Sequence, residues 1–331
     1  EGFEKQVEEW NKLYEKEENS EGKEIKKEWK EFEFVKDFDK TSIMKDKKLN
    51  EKYKFLPIDT KYFKNLEGEI LDTFENLDND LDGVLIKSDN FQALNTILPK
   101  YKERVDLIYI DPPFNTGSDF DYKDGFQDST WLTLMENRLE IAKKIMSDTS
   151  TIYLHLDQNA NYYGRVLLNN LFHDKESFRN EIAWCYTGAS NIKKDFPSKH
   201  DTILRYVKNT NKFIFNKDDI RVPYAEGSLD RANRNVIASG GMNFDKIELN
   251  ENGKVIEDWW LESESENTIW TDISRATRYP NEPFGFDTQK PEKLIQRIIN
   301  ASTKIESIIL DFFTGSATTI ATAHKLNKKW I

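Results

Sequence analysis

Apolar positions after residue 82 alternate between short continuous runs and stretches with helical spacing. The run at residues 105–110 ("VDLIYI") is apolar at almost every position, and residues 151–156 ("TIYLHL") have the same pattern. Such runs are typical of strands that are buried on both faces of a sheet. Stretches with apolar residues three and four positions apart surround them, at residues 91–101, 129–146 and 159–172. The alternation predicts amphipathic helices between parallel strands, in βαβ units.

Other runs extend the same pattern in both directions. Short apolar runs predict further strands at residues 83–86, 180–188, 201–207, 212–216 and 308–312. A helix is predicted from Pro291 to residue 302, and another after the turn at residues 314–317. Residues 216–272 lack strong periodicity, which is typical of an insertion.

These patterns predict an α/β fold with a doubly wound, mostly parallel sheet. Residues 1–50 are dense in Glu and Lys with a sparse apolar stripe, and we expect charged helices there. We therefore predict four parts: a charged helical N-terminal extension, a first half of the α/β domain, a small insert and a second half. Their predicted bounds are residues 1–80, 81–215, 216–272 and 273–331.

Composition narrows the class of protein. The 331 residues carry a formal net charge of −11, so a nucleic-acid surface would have to be local. The single cysteine, Cys185, excludes a disulfide framework and a Cys-rich zinc site. No apolar run approaches the 18 residues or so of a membrane span, and the first residues lack a signal-like apolar region. We expect a cytoplasmic protein that does not contact a membrane.

Two predicted strands end at an aspartate. Asp111 follows the strand at residues 105–110, and Asp311 follows "SIIL" and precedes the Gly315 turn. Because ligands bind at the carboxyl ends of parallel strands, we expect both junctions to line one site. A Gly turn before a helix exposes backbone N–H groups, although neither a dinucleotide fingerprint nor a phosphate-binding loop is matched.

The first junction, "DPPF", has the chemistry of an amine clamp. Pro112 and Pro113 fix φ and remove two backbone donors, which leaves a rigid extended segment with available carbonyls. The Asp111 carboxylate and a prolyl carbonyl can then accept hydrogen bonds from one NH₂ group, while Phe114 stacks on a planar ring. This combination suits a nucleobase, although a stiff surface turn is the simpler interpretation of the tetrapeptide alone.

"DPPF", "DFFTGSATT" and "DTQKPEKLIQRII" together resemble the amino-methylating DNA methyltransferases, which act on adenine N6 or cytosine N4 with S-adenosylmethionine. The tetrapeptide precedes the cofactor turn, an order similar to that of the β class, which includes type III modification (Mod) subunits and orphan adenine methylases. The resemblance implies a permuted, Rossmann-like methyltransferase fold. It implies catalytic roles for Asp111, Pro112, Pro113 and Phe114, which would hold a flipped-out adenine.

The resemblance also implies a set of cofactor-binding residues. Thr288, Gln289 and Lys290 match the segment that closes over the methionine carboxylate, and Asp311 is expected near the methionine amino group. Ala317 stands where the family pattern often has Gly, and Ala has less backbone freedom than Gly to adopt a positive φ there. The full set implied to bind S-adenosylmethionine is Asp89, Asp111, Thr288, Gln289, Lys290, Asp311, Phe313, Gly315, Ser316, Thr318 and Thr319. The acid that binds the ribose would lie beyond Ile331, so we expect the chain to be part of a longer protein.

DNA contacts are expected in the most basic stretch of this acidic chain. The residues singled out are Lys193, Lys194, Lys199, Arg205, Arg221, Arg231 and Arg234. The resemblance implies double-stranded DNA as partner, with a restriction subunit and a homodimer as further expectations. No metal-ligand spacing involves the histidines, and Cys185, interpreted as a buried strand residue, lacks the setting of a nucleophile. Cytosine N4, RNA, a protein amide and a vestigial site remain alternative hypotheses.

Overall fold

The computed structural model describes residues 5–6, 44–45, 48–50, 58–117, 124–186, 192–224, 249–260, 273, 275–276 and 288–331. The chain forms two compact units, Glu1–Asp80 and Leu81–Ile331. Elements of the first unit are strands β1 (Met44–Lys45) and β2 (Lys48–Leu49), a 3₁₀ turn (Thr60–Tyr62) and helices α1 (Glu67–Leu71) and α2 (Leu77–Asp80). The charged helices predicted for residues 1–50 lie almost entirely outside the described residues.

The second unit alternates helices and strands, as the apolar pattern predicts. Its helices are α3 (Asn90–Tyr101), α4 (Asp128–Ile145), α5 (Asn161–Phe172), α6 (Glu292–Ser302) and α7 (Thr318–Lys325). Its strands are β3 (Val105–Ile110), β4 (Met146–Leu156), β5 (Phe178–Cys185), β6 (His200–Val207), β7 (Arg221–Val222), β8 (Lys254–Val255), β9 (Trp259–Trp260), β10 (Ile308–Leu310) and β11 (Lys329–Trp330). None of the helices in the described ranges is both long and apolar enough to cross a bilayer.

Seven of these strands form one central sheet, in the order β11-β10-β3-β4-β6-β5-β9. The strands from β11 to β4 are parallel, and β9 is parallel to β5, whereas β6 runs antiparallel to both of its neighbours. The predicted mostly parallel sheet is confirmed. Within the part of the insert that is described, β7 and β8 form a separate two-stranded antiparallel sheet.

The core lies on both faces of this sheet. Alternate residues of β3 point to opposite sides, so Ile108 and Ile110 pack with α3, α4 and α5, whereas Leu107 and Tyr109 pack with α6 and α7. All four side chains are essentially inaccessible to solvent. Burial on two faces explains why the sequence of β3 is apolar at almost every position, and the doubly wound arrangement is therefore confirmed.

The register of the strands places the carboxyl ends of β3 and β10 at the same end of the sheet. Leu310 of β10 is opposite Ile108 of β3, and Ile110 of β3 is opposite Leu154 of β4. The residues that follow β3 and β10, Asp111 and Asp311, therefore leave the sheet on one side.

Two predicted strands are wrong. Residues 83–86 contribute only one bridge, between Gly83 and Trp330, instead of a run of strand pairs. Residues 212–216 form no strand: the backbone N–H of Ile214 donates to Thr149, and that of Asn216 donates to Ala301 at the end of α6. Their N–H groups are thus satisfied by single bonds to β4 and to the end of α6 rather than by a ladder of strand pairs.

Close packing of α5 on the sheet gives a test of the fold. A Cβ atom at Gly164 would lie 2.3 Å from Leu156 Cδ1 and 3.1 Å from Leu154 Cδ2. We predict that Gly164→Ala lowers the free energy of unfolding by about 1–2 kcal/mol, because overpacking outweighs the gain in helix propensity. Denaturant unfolding measures this change. Val166→Ala, at a position of the same helix that is 59% exposed, should change stability by less than about 0.5 kcal/mol.

Candidate functional site

The Asp-Pro-Pro-Phe segment follows β3 and is anchored by contacts with the core of the domain. Pro112 is buried, and the indole N–H of the buried Trp131 on α4 donates to the Pro113 carbonyl at 2.8 Å. The second prolyl carbonyl is therefore fixed by the core. The segment can present the Asp111 side chain and the Phe114 ring in one orientation.

The next turn of the chain is anchored by a buried carboxylate, Asp124. It accepts hydrogen bonds from the backbone N–H groups of Asn115 (2.8 Å) and Thr116 (2.9 Å) and from the Thr116 hydroxyl. Asn115 adopts a left-handed conformation with φ of 61°, and its side chain bonds the Phe126 backbone N–H and Asp128. The sequence assigned no role to Asn115 and did not single out Asp124; together they close the loop that follows Phe114.

Asp111 is paired with Lys290, from the segment before α6. Lys290 Nζ lies 2.6 Å from Asp111 Oδ2 and 5.0 Å from the centre of the Phe114 ring, and the lysine is largely buried. The other carboxylate oxygen, Asp111 Oδ1, is buried and has no hydrogen-bond partner within the described ranges. The arrangement shows that a nitrogen donor fits between this carboxylate and the aromatic ring. It also leaves one acceptor available to a further N–H donor.

A buried polar chain supports the Phe114 ring from behind. The imidazole of His155, on β4, stacks on Phe114 with ring centres 6.0 Å apart and planes 24° from parallel. Its nitrogens contact the Tyr109 hydroxyl at 2.7 Å and Asp201 Oδ2 at 3.0 Å. Tyr186 donates to the other Asp201 oxygen at 3.0 Å.

Burial and hydrogen bonding shift the pKa values of two groups in this network. Burial raises the pKa of the Tyr109 hydroxyl well above its usual value, so the phenol stays protonated and can donate to His155 Nδ1. Burial alone would raise the pKa of Asp201, but its contacts with His155 lower it overall. The sequence patterns did not predict this buried hydrogen-bonded network. The signal that could have found it is a lone His and a lone Asp within otherwise apolar strands.

The second junction follows β10 and forms a tight turn into α7. Gly315 and Ala317 both have left-handed backbones, with φ of 50° and 65°. Ala317 therefore adopts a positive φ although Ala has less freedom to do so than Gly: the turn imposes this conformation on a residue with a Cβ atom. Ser316 and Thr318 hydroxyls contact each other at 3.0 Å, and the Thr314 hydroxyl donates to the Asp311 carbonyl.

Asp311 is a buried carboxyl group at the base of this turn. Burial raises its pKa to about 7, the Asp111 charge adds to the rise, and hydrogen bonds from Thr319 and the Phe313 backbone N–H oppose it. The Phe313 N–H lies 2.9 Å from Asp311 Oδ1. A cation placed beside Asp311 would favour its charged form.

The two junctions line one cavity of about 600 Å³. Ten of the eleven residues implied to bind the cofactor line it, the exception being Gln289. Asp89 has a second role, because its carboxylate caps α3 by accepting from the Phe91 and Gln92 N–H groups and contacts Arg138. Leu85, Ile86 and Ile97 add apolar walls.

S-Adenosylmethionine fits this donor set. The cavity has the size typical of cofactor sites, with apolar walls for a flat purine and carboxylates for a cationic methionine moiety. Lys290 supplies a positive charge near the methionine end, and the Gly315 turn lets the backbone approach closely. Within the described ranges, no cluster of three or more side chains could hold a metal ion.

The structure separates the predicted DNA-contact residues into groups. Lys193 and Lys194 are exposed and Lys199 is half-buried. Arg205 is 4% exposed and packs against Phe215 and Phe213, so its prediction as a DNA contact is wrong. Arg221 is half-buried, and its guanidinium binds Asp218 at 2.7 Å and the Gly253 carbonyl at 2.8 Å, so its contact with DNA stays a prediction. Arg231 and Arg234 lie outside the described residues.

Cys185 ends β5 and is half-buried rather than buried as expected. Burial raises the pKa of its thiol, which disfavours the thiolate that a covalent mechanism would need.

Comparison with known proteins shows the family to which this chain belongs. A family model described as "DNA methylase" matches residues 105–331. A probable type III restriction-modification enzyme HindVI Mod subunit from Haemophilus influenzae is 26% identical, over 76% of this chain and 48% of its own length. The type II methyltransferase M.HpaI from Haemophilus parainfluenzae is 28% identical, over 76% of this chain and 69% of its own.

Two more similarities were found, one to a curated relative and one to a solved structure. The DNA adenine methyltransferase YhdJ from Escherichia coli is 27% identical, over 69% of this chain and 71% of its own length. The solved PvuII DNA methyltransferase (cytosine-N4-specific) is 14% identical with a TM-score of 0.49, over 75% of this chain and 80% of its own. The match covers 48% of the HindVI Mod subunit and 50% of the StyLTI Mod subunit from Salmonella typhimurium, so the chain spans about half the length of these two relatives.

Strain at Ala317 can be measured. We predict that Ala317→Gly raises the free energy of unfolding by roughly 0.5–1 kcal/mol, because glycine adopts a positive φ without the Cβ penalty. Denaturant unfolding of the full chain is the measurement. The control is Ala321→Gly inside α7, which should lower stability by about 1 kcal/mol. A loss of stability in both variants would contradict the strain at residue 317.

Asp311 gives a pH dependence of known sign. Its pKa is about 7 in the folded chain and about 4 in an unfolded one, so the folded state binds more protons between these values. The free energy of unfolding should therefore fall as pH rises from about 4 to about 7. Asp311→Asn should remove this contribution. The free energy of unfolding of the variant, relative to that of the parent chain, should therefore be higher at pH 8 than at pH 5. Asp148→Asn, at an exposed carboxylate whose pKa is lowered by Lys212, should show no such difference.

Proposed function

The chain belongs to the DNA methylase family whose model matches residues 105–331, and we propose that it transfers a methyl group from S-adenosylmethionine to the N6 amine of a flipped-out adenine in DNA. The observation that supports this most strongly is the shared cavity: the Asp111 carboxylate and the Gly315 turn open into the same space. Direct transfer needs the carboxylate that binds the amine and the turn that binds the cofactor to lie next to each other.

The Asp111 carboxylate holds the target amine. Its free oxygen, Oδ1, accepts one N–H of the amine, and the Pro112 carbonyl accepts the other. With both hydrogens engaged, the nitrogen lone pair is directed away from the clamp and toward the cavity. Positioning of this kind supplies much of the catalytic effect, and the negative carboxylate stabilises positive charge that develops on the nitrogen.

Phe114 provides the flat surface for the base. The stack of His155 behind it fixes the ring plane, and Tyr109 and Asp201 fix the imidazole. A base inside a duplex cannot reach this ring, so it must leave the helix. Lys290 also lies over the ring, and we infer that its ammonium moves away from Phe114 as the base enters.

The cofactor's contribution is a methyl group on a cationic sulfur, which the amine can attack directly. Asp311 and Lys290 would hold the amino and carboxylate ends of its methionine part, and the turn at Gly315, Ser316 and Thr318 would contact it through backbone and hydroxyl groups. Asp89, Leu85 and Ile86 lie on the side of the cavity that takes the adenosine. Ionised Asp311 is the form that binds an ammonium group, and the cation itself favours that form.

Adenine is proposed over cytosine on two grounds. Asp-Pro-Pro, rather than Ser-Pro-Pro, precedes the aromatic residue, and one of the relatives is named as an adenine methyltransferase. The similarity to type III Mod subunits leads us to propose a role in modification, with a restriction subunit as partner. Cytosine N4 is the alternative that uses the same clamp.

Asp111 variants test the clamp. We predict that Asp111→Ala and Asp111→Asn each lower the rate of methyl transfer to duplex DNA by about 10³-fold or more, because the amine loses its charged acceptor. Binding of S-adenosylmethionine, measured by calorimetry, should weaken by less than about tenfold. Asp148→Asn, far from the cavity lining, serves as the matched carboxylate control. Transfer by Asp111→Ala at the parent rate would refute the assignment of this residue.

The target base is identified with labelled cofactor. Duplexes that lack adenine and duplexes that lack cytosine separate the two amines. We expect label only where adenine is present. Label confined to adenine-free DNA would overturn the adenine assignment and favour cytosine N4.

A further inference from the structure

An unusually exposed aromatic residue lies outside the cavity, in residues 192–199, which we call the Phe196 segment. Phe196 is 99% exposed, and Ile192 in the same segment is 54% exposed. A phenylalanine ring is more stable when it is buried than when it is left in water. A ring held this far into solvent therefore gains most by entering a partner.

Two hydrogen bonds connect the C-terminal end of the segment to residues that follow β4 and β5. The Ser198 hydroxyl bonds to the Gln158 side chain just after β4, and the Lys199 carbonyl accepts from the Tyr186 N–H at 2.9 Å. Pro197 restricts Phe196 to an extended backbone. The ring is thus presented on a stiff, anchored base.

Sheet register places the segment at the edge that carries Asp111. β6 runs antiparallel to β4, with Thr202 opposite Leu156, so residues before Thr202 lie beyond the carboxyl end of β4. β3 and β4 are parallel, and Asp111 follows the carboxyl end of β3. Phe196 therefore lies on the same side of the sheet as the amine clamp.

Charge indicates the partner. The chain has a formal net charge of −11, yet residues 192–199 contain Lys193, Lys194 and Lys199 against a single acid, Asp195. An apolar ring flanked by cations matches a nucleic acid, whose phosphates attract the lysines while its stacked bases accept the ring. A neutral protein groove would gain little from the lysines.

We propose that Phe196 inserts into the base stack of the target duplex beside the nucleotide that leaves it, with Lys193 and Lys194 on the adjoining phosphates. This inference rests on the proposed function, since it concerns DNA from which a base is extruded. Extrusion of a base loses its stacking and pairing. A stack between an aromatic ring and a neighbouring base offsets part of that loss and stabilises the opened duplex.

The test uses the full chain and a duplex that carries the methylated sequence once labelled sites have been mapped. Methyl transfer is compared on the matched duplex and on the same duplex with a mismatch at the target base, which opens more easily. We expect Phe196→Ala to lower the transfer rate on the matched duplex by about tenfold or more. On the mismatched duplex the loss should shrink to about threefold or less, and Phe196→Trp should keep most of the activity on both.

Two controls separate this role from others. Ile305, which is 88% exposed before β10 and so at the opposite edge of the sheet, can be replaced by Ala with no expected effect on either duplex. Lys193→Ala should raise the DNA concentration needed for half-maximal rate on both duplexes equally, with a weaker salt dependence.

The outcomes distinguish the two proposals. Absence of transfer by the parent chain on any DNA refutes the proposed function itself. Normal transfer by the parent chain, with Phe196→Ala equally active on the matched duplex, overturns the wedge alone. An equal loss on matched and mismatched duplexes also overturns it, because the ring would then act after extrusion.

Discussion

β3 and β10 lie side by side in parallel, with Leu310 opposite Ile108, and this pairing brings two strand-end aspartates to one edge of the sheet. Parallel neighbours must end at the same edge, so the separation of Asp111 and Asp311 in the sequence does not keep them apart in space. Apolar residues on both faces of β3 hold the pairing in register. The cavity, the amine clamp and the cofactor turn all depend on that register.

Placing two carboxyl groups in one partly buried cavity has an electrostatic cost, and the structure meets it differently at each aspartate. Asp111 contacts Lys290 at 2.6 Å, so its charge is compensated within the chain. Asp311 has backbone and hydroxyl donors but no cation within the described ranges, and its pKa rises to about 7. The first carboxylate is therefore ready to accept an amine, whereas the second is best satisfied by a bound cation. A cationic cofactor beside an amine substrate meets both conditions.

Local patterns predicted much of this fold, because burial on two faces and helical periodicity leave clear marks in the sequence. The "DPPF" segment was also predictable, since two prolines after an apolar run have few conformations. Contacts between distant residues were not. Asp111 and Lys290 are 179 positions apart, and His155 and Asp201 are 46 apart. The positive φ of Ala317 could not be predicted for a related reason: local preference disfavours it in Ala, but the turn from β10 into α7 overrides that preference. Arg205 was counted as a surface cation because charge alone does not reveal that its guanidinium packs on aromatic rings.

A crystal structure of the chain with S-adenosylmethionine tests the central claim most directly, because it locates the methyl group relative to the two strand ends. The account predicts cofactor density in the cavity between Asp111 and the Gly315 turn, with the methionine amino group at Asp311 and the methyl group directed toward Asp111. Density at another surface would contradict the account. So would a cofactor in this cavity whose methyl group is directed away from Asp111 and the Phe114 ring.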